Sequence, residues 1–250
     1  MVQRCGMEMV KDMMKTNSRK VRQLHRWIGL FFSLSVLMSA GSGVLHNVMS
    51  RTQAPPPAAR PSGLILPQDV KVSVADALKH LPSPDAKLQA VSIRSIAGEP
   101  WYQFFIEGQK KITYVSAKDG KIDETQDEVY AFEIAYNYLA GTPVKKTDYL
   151  TSFNSEYINI FRILPVYRFD ADDGKGTRVY VSTMTGSVTR HTDNQKQFEA
   201  NIFSNFHKFM FIKNKDWRDG ILTFMTTGIF LAALLGVALF FMTRPSVNKK

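Results

Sequence analysis

The sequence predicts an α+β domain carried between two membrane-spanning helices, and three observations predict it. No Lys, Arg, Asp or Glu occurs from Trp27 to Met49, and none from Ile221 to Met242. The first stretch is about 23 residues, or about 34 Å as a helix, enough to cross the hydrocarbon core of a bilayer. Between the two stretches, helix-like and strand-like runs follow one another in two similar blocks, each closed by a tight turn.

Charge supports the same layout. The 250 residues carry a formal net charge of +10, a balance that alone would suggest a nucleic-acid partner. Its distribution argues against one. Arg4, Lys11, Lys15, Arg19, Lys20, Arg22 and Arg26 precede the first stretch against only Glu8 and Asp12, a net +5. Arg244, Lys249 and Lys250 follow the second, a net +3, which leaves +2 for everything between. Excess positive charge flanking apolar spans marks their cytoplasmic ends. The single cysteine, Cys5, falls in the first tail, so an internal disulfide and a CxxC metal or redox site are both excluded. A cleaved signal peptide is the rival reading of the first stretch, because the small run Ser39-Ala40-Gly41-Ser42-Gly43 would suit a peptidase. The long basic region, and a charge-free stretch that continues to Met49, predict an uncleaved anchor instead.

Taken in order, residues 1–23 read as a basic cytoplasmic tail, disordered or loosely helical. Residues 24–49 read as the first transmembrane helix, with Arg26 and Trp27 anchoring it at the lipid interface. Ser35, Ser39 and Gly43 recur every four residues, and Gly228, Ala232 and Gly236 do the same in the second span. Small residues so spaced let helices approach closely, which predicts that the spans pack on these stripes, within one molecule or between two copies. Residues 50–63 form a Pro-rich linker, TQAPPPAARPSG from Thr52 on, whose polyproline II preference makes it a semi-rigid spacer.

Residues 64–126 form a first unit: a short amphipathic helix over Val74–Leu81, then strands around Val91-Ser92-Ile93, Trp101–Ile106 and Lys111–Val115, and a turn at Asp119-Gly120 before Lys121-Ile122. Residues 127–193 repeat the plan. A helix over Glu128–Leu139 precedes strands around Tyr149-Leu150, Ile160-Phe161, Val166–Phe169 and Arg178–Val181, with a turn at Thr185-Gly186 before Ser187-Val188. The echo is clearest between ITYVSAKDGKI and RVYVSTMTGSV. Residues 194–214 read as an amphipathic juxtamembrane helix: Phe198, Ile202, Phe203, Phe206, Phe209 and Met210 share one face, and Asn201, Asn205 and Lys208 the other. Residues 217–243 are the second transmembrane helix, capped by Asn214 or Asp216 and anchored by Trp217. Residues 244–250 are a second cytoplasmic tail, which places 50–214 on the far side of the membrane.

These residues carry a resemblance. LHRWIGL (24–30) at the mouth of a first span is similar to the opening signature of PepSY-associated transmembrane proteins. The units ending in YVSAKDGKI and YVSTMTGSV look like PepSY modules, and NFHKFMF before a second span resembles that family's His-bearing segment. The resemblance covers about Lys20 to Met242. It implies a bacterial inner-membrane protein with a periplasmic PepSY domain. Some relatives serve iron uptake and are thought to be haem-bearing reductases of siderophore complexes; they usually have four spans, whereas this chain has two.

Five histidines are the chemistry-bearing residues to weigh. His25 and His46 are 21 residues apart in the sequence, about 31 Å along a helix, so they cannot share one iron. His207 is expected on the same membrane face as His46. Two neutral imidazoles facing each other hold a b-type haem from both sides, which makes His46 and His207 the candidate pair and leaves His25 to pair with its mate in a homodimer. The plain alternative is that all three are interfacial polar anchors. His80 and His191 read as surface or capping residues. Arg26 and Trp27 suit anionic lipid better than a haem propionate. Asp170, Asp172 and Asp173 begin like a calcium loop, but Val181 stands where a bidentate Glu is needed, so a solvated hairpin turn is expected.

No HExxH, GxSxG or Gly-rich phosphate loop opening a helix occurs, so no nicotinamide or flavin site is expected. Two function classes stay open. One is a membrane-anchored accessory module transferring electrons through haem, fed by a partner or a quinol. The other is a cofactor-free interaction protein, scaffolding a membrane complex or restraining a peptidase.

Overall fold

The computed structural model describes residues 2–53, 63–82, 86–109 and 111–243, with side chains from Thr16 onward. Most of the Pro-rich linker (54–62), the Cys5 side chain and the tail 244–250 lie outside the described residues. Helix α1 covers Val2–Thr52 and α2 Val74–Leu78; strands β1 (Leu88–Ile96), β2 (Glu99–Ile106) and β3 (Thr113–Ser116) follow. Then come α3 (Gln126–Tyr138), β4 (Val144–Leu150), β5 (Val166–Ala171), β6 (Arg178–Ser182), β7 (Ser187–Thr192), α4 (Asn194–Lys208) and α5 (Lys215–Met242). The protein is thus α+β, with long apolar helices at its ends and sheets between. It divides into two compact units, 54–197 and the helical pair of segments 1–53 with 198–250.

In the unit 54–197 the two blocks of the sequence become two antiparallel meanders. One sheet has the order β1-β2-β3 and the other β4-β5-β6-β7, each preceded by its helix. The echoed segments close in the same way: the Gly120 N–H donates to the Ser116 carbonyl and the Gly186 N–H to the Ser182 carbonyl, both at 2.9 Å. Both glycines have positive φ, 76° and 67°, a conformation that glycine adopts without steric cost.

The blocks do not have separate cores. Tyr130, Ala131, Ile134 and Ala135 of α3 pack with Ile96, Trp101 and Tyr114 of the first sheet and with Phe169, Val179 and Val181 of the second. On its other face the first sheet covers α2 through Tyr102, Phe104, Ile106 and Val115, packed with Ala77 and Leu81. Strand β2 is therefore buried on both faces, which is why it reads as a nearly continuous apolar run, WYQFFI, and not as an alternation.

Three expected elements are corrected. The first amphipathic helix ends at Leu78, not Leu81. Lys79–Leu81 form turns whose N–H groups bond three residues back, and Pro82 follows directly, which disfavours helical conformation at Leu81. Ile160-Phe161 is no strand but part of a 3-10 turn, Asn159–Phe161, closed by Arg162 at φ 58°. Tyr157 draws the turn inward, since its ring stacks on Phe161 and Tyr180. His191 lies within β7, not beyond it.

In the helical unit, α1 is continuous well beyond 24–49. Its N-terminal part is rich in Met, Lys, Gln and Arg, all good helix formers, and it stops where Ala54-Pro55-Pro56-Pro57 would forbid it. The helix from Thr16 to Thr52 and α5 are each long and apolar enough to span a membrane. They run antiparallel, with Phe32 against Gly228 and His25 against Gly236. A Cβ at Gly228 would run into the Phe32 ring, so glycine there permits the close approach. The expected stripe on α5 is thus the contact face. On α1 the inner face drifts: the least exposed line runs through Val21, His25, Ile28, Phe32, Ser35, Ser39 and Ser42. That is alternating three- and four-residue spacing, the coiled-coil period, where the sequence suggested a strict four. Ser42 is buried, whereas a Cβ on Gly43 would meet nothing within 4 Å.

Candidate functional site

Along that line of α1, His25, Phe32, Ser39 and His46 stand seven residues apart and meet a different partner at each level. The His25 Nδ1–H donates to the Ala232 carbonyl of α5 at 3.0 Å. Gly236 leaves room for the ring, since a Cβ there would lie 3.2 Å from His25 Cε1. Gly236 precedes the end of α5 by six residues, so His25 lies alongside α5 about 9 Å inward from that end. The charge-free stretches of the two helices are offset, and from Ser39 onward α4 meets α1. The His207 Nδ1–H is shared between Ser39 Oγ at 3.2 Å and the Ser39 carbonyl at 3.4 Å.

At the C-terminal end of α1 sits the most polar cluster of the helical unit. Glu199, from α4, is 8% exposed. One of its carboxylate oxygens pairs with His46 Nδ1, and the other accepts from Gln53 Nε2 at 2.7 Å. A buried carboxylate is tolerated when hydrogen-bonding partners satisfy it in this way. Glu199 and His207 are eight residues apart, just over two helical turns, so they reach α1 from one side of α4. Phe203 lies midway between them. Its ring stacks on His207 at 4.6 Å between centroids and 13° between planes, and faces His46 at 4.8 Å and 37°.

This arrangement tests the expected haem pair. Two imidazole nitrogens must converge on one iron from opposite sides. In the structure the Phe203 ring lies against both His46 and His207. A haem held by both imidazoles would require that ring to move. His25 lies against α5 of its own chain, bonded through Nδ1. Of the expected anchors, Trp27 and Trp217 are 72% and 71% exposed, and Arg26 is exposed beside Trp27. Asn214, not Asp216, caps α5, its side chain accepting from the Trp217 N–H at 3.0 Å. Glu199 and Gln53 had no role in the sequence reading, and Phe203 appeared there only as part of an apolar helix face. Glu199 could have been found there as the lone acid flanked by the apolar positions of a helical stripe.

The unit 54–197 holds a second polar centre. Gln103, fully buried, uses every position of its amide: Oε1 accepts from Ser92 Oγ and Arg94 Nε, and Nε2 donates to Tyr114 Oη and the Thr183 carbonyl. The Tyr114 hydroxyl donates to Asp127 Oδ1 at 2.6 Å and the Tyr167 hydroxyl to Asp127 Oδ2 at 2.8 Å. Asp127 lies in the first turn of α3, where the helix dipole favours a carboxylate, and ties a strand of each sheet to that helix. Burial, and then the Asp127 charge, push both tyrosine hydroxyls above their ordinary pKa.

Asp170 binds Arg168 through both oxygens, and Asp173 binds Thr177 and the Lys175 N–H. The acidic run thus builds a hairpin turn, and among the described residues no group of three or more His, Cys, Asp or Glu could hold a metal ion. His191, half-buried, has its pKa lowered by burial and then by Lys196. His80 lies just past α2, against Gly120. On the solvent side of α3, Val129, Phe132 and Tyr136 are 37%, 44% and 41% exposed, with the last two rings stacked at 5.9 Å. Comparison of the chain with protein families, with curated proteins and with solved structures finds no match.

Proposed function

We propose that the chain is a bacterial inner-membrane protein with both termini in the cytoplasm, and that residues 50–214 form a periplasmic PepSY-like module that binds a membrane or periplasmic protein. The observation that carries the binding role is the apolar stripe of α3. Three large side chains at helical spacing keep about two-fifths of their surface in water on a helix whose opposite face is packed in the core. Contiguous exposed apolar surface of this kind marks interaction sites. Support for the placement comes from the two terminal helices and the basic residues that flank them. Support for the PepSY likeness comes from the repeated helix-and-meander plan with its two matching turns.

One experiment addresses placement and role together. A fluorescent reporter fused after Lys250 is expected to light in the cytoplasm. A photo-crosslinking residue at Phe132 is expected to trap a discrete partner band in intact cells, and one at exposed Lys121 to trap none. Equal trapping at both positions ends the binding-face reading, and a dark reporter ends the topology.

The competing proposal is haem held by His46 and His207. Its one support is that both rings direct Nδ1 to protein partners, the orientation that leaves Nε2 for a metal. It requires the Phe203 ring to move. A visible spectrum of the detergent-purified chain, after growth with haem precursor, decides the matter. A Soret band lost in both His46→Ala and His207→Ala would favour haem, and no band removes it.

A further inference from the structure

Where Trp27–Phe32 of α1 lie beside Phe224–Leu231 of α5, two adjoining hollows differ sharply in character. One, of about 530 Å³, is an apolar groove between the helices, walled by Trp27, Phe31 and Phe32 on α1 and by Phe224, Gly228 and Leu231 on α5. The other, of about 240 Å³, lies on α1 among Gln23, Arg26, Trp27 and Leu30. Trp27 belongs to both, so the polar notch opens onto the end of the groove. The notch offers a guanidinium and an amide. Among the described residues Arg26 has no ion-pair partner, and the next charges along α1 are Arg22, Lys20 and Arg19, all positive. A bare cation at the mouth of a dry groove matches one kind of molecule, with an anionic head and a hydrocarbon tail.

We infer that the α1–α5 pair holds one anionic phospholipid, its phosphate on Arg26 and Gln23 and an acyl chain laid along the groove past Trp27 and Phe31. The inference rests on the reading that these helices span the membrane with Arg26 toward the cytoplasm. Guanidinium is the side chain best shaped for a phosphodiester, because it donates two parallel N–H bonds. The groove exists because Gly228 draws the helix backbones together beside Phe32 and leaves flanking space that neither helix fills.

The test is native mass spectrometry of the full chain released from detergent micelles containing phosphatidylglycerol or phosphatidylcholine with the same acyl chains. One phosphatidylglycerol per chain is expected to be retained in preference to phosphatidylcholine. Arg26→Gln should weaken that retention about fivefold, the usual effect of one basic residue at an anionic lipid surface. Arg22→Gln removes the same charge outside the notch and should leave retention unchanged. Equal losses in the two variants would mean diffuse attraction to a basic surface and overturn the site. Equal retention of the two lipids would overturn it as well. Displacement of the lipid by glycerol phosphate would show a free-phosphate site and also overturn it. The reporter after Lys250 reads topology independently, so the lipid site and the membrane reading fail separately.

Discussion

Phe104, Tyr114 and Phe169 in the sheet unit have no exposed surface, whereas Phe31, Leu37 and Phe240 on the long helices leave 64%, 69% and 63% of theirs uncovered. The residue types are alike and their treatment is opposite. A domain in water must bury its aromatics, because removing apolar surface from water is the main force that folds it. On the proposed membrane reading the helices are surrounded by hydrocarbon and have no such need; such helices associate by close packing of small residues and by a few polar contacts. The polar contacts differ in the same sense. Gln103, Tyr114, Asp127 and Tyr167 form one continuous chain across two sheets, buried at Gln103 and Tyr114 and partly buried beyond. In the helical unit His25, His207 and His46 each make a separate link from α1 to a neighbouring helix.

The comparison breaks first, and hardest, at Asp127. Replacing it with Ala strands one buried and one partly buried hydroxyl that now donate to a carboxylate. Hydrogen bonds to a charged group contribute about 1.5–3 kcal/mol each, so Asp127→Ala should cost the sheet unit about 3 kcal/mol or more. Urea unfolding of the full chain in detergent, followed by Trp101 fluorescence, reads this loss; a cost below about 1 kcal/mol would mean that the two sheets are held by packing alone. The helical unit should respond most to Gly228→Ala, which thrusts a methyl group into the Phe32 ring. Overpacking of this kind typically costs about 1–3 kcal/mol. Distance measurements between spin labels on α1 and α5 should show the pair spread, with the sheet unit's urea midpoint unmoved.

Alkaline pH sharpens the contrast further. The folded state holds the Tyr114 and Tyr167 hydroxyls protonated above their ordinary pKa, whereas an unfolded chain releases those protons near pH 10. Their contribution is therefore complete below about pH 10 and declines as pH rises beyond it, because the unfolded state alone gains from ionising. The melting temperature of the sheet unit should fall above that pH, and Tyr167→Phe should flatten the fall. A profile unchanged by Tyr167→Phe would remove that hydroxyl as a cause.

How much of this was legible in the sequence follows the same division. The spans and their flanking charges are properties of composition over long windows, and the helices appear where those windows lie. The repeat is local too, since YVSAKDGKI and YVSTMTGSV each contain their own turn. What was hidden depends on contacts distant in sequence. Tyr114, Asp127 and Tyr167 are unremarkable in ITYVS, QDEVY and PVYRF, and only the docking of two sheets on α3 joins them. The candidate pair His46 and His207 illustrates the limit. It was expected from a shared membrane face alone, which took no account of Phe203, four residues before His207 on the same side of α4, whose ring contacts both imidazoles.

The smallest expected effect concerns Gly43. A strict four-residue stripe would put it in the helix contact beside Ser39, but the inner face advances by three from Ser39 and buries Ser42 instead. A methyl group added at Gly43 meets open space, and glycine inside a helix costs about 0.5–1 kcal/mol relative to alanine. Gly43→Ala should therefore leave the spin-label distances of the pair unchanged and raise its melting temperature slightly, the reverse of Gly228→Ala. Ser42→Leu, one residue away, should act in the direction of Gly228→Ala because its side chain has no space to enter. If Gly43→Ala spread the helices while Ser42→Leu did not, the four-residue stripe would be the true contact line and α1 would have to be rotated by about 100° about its axis.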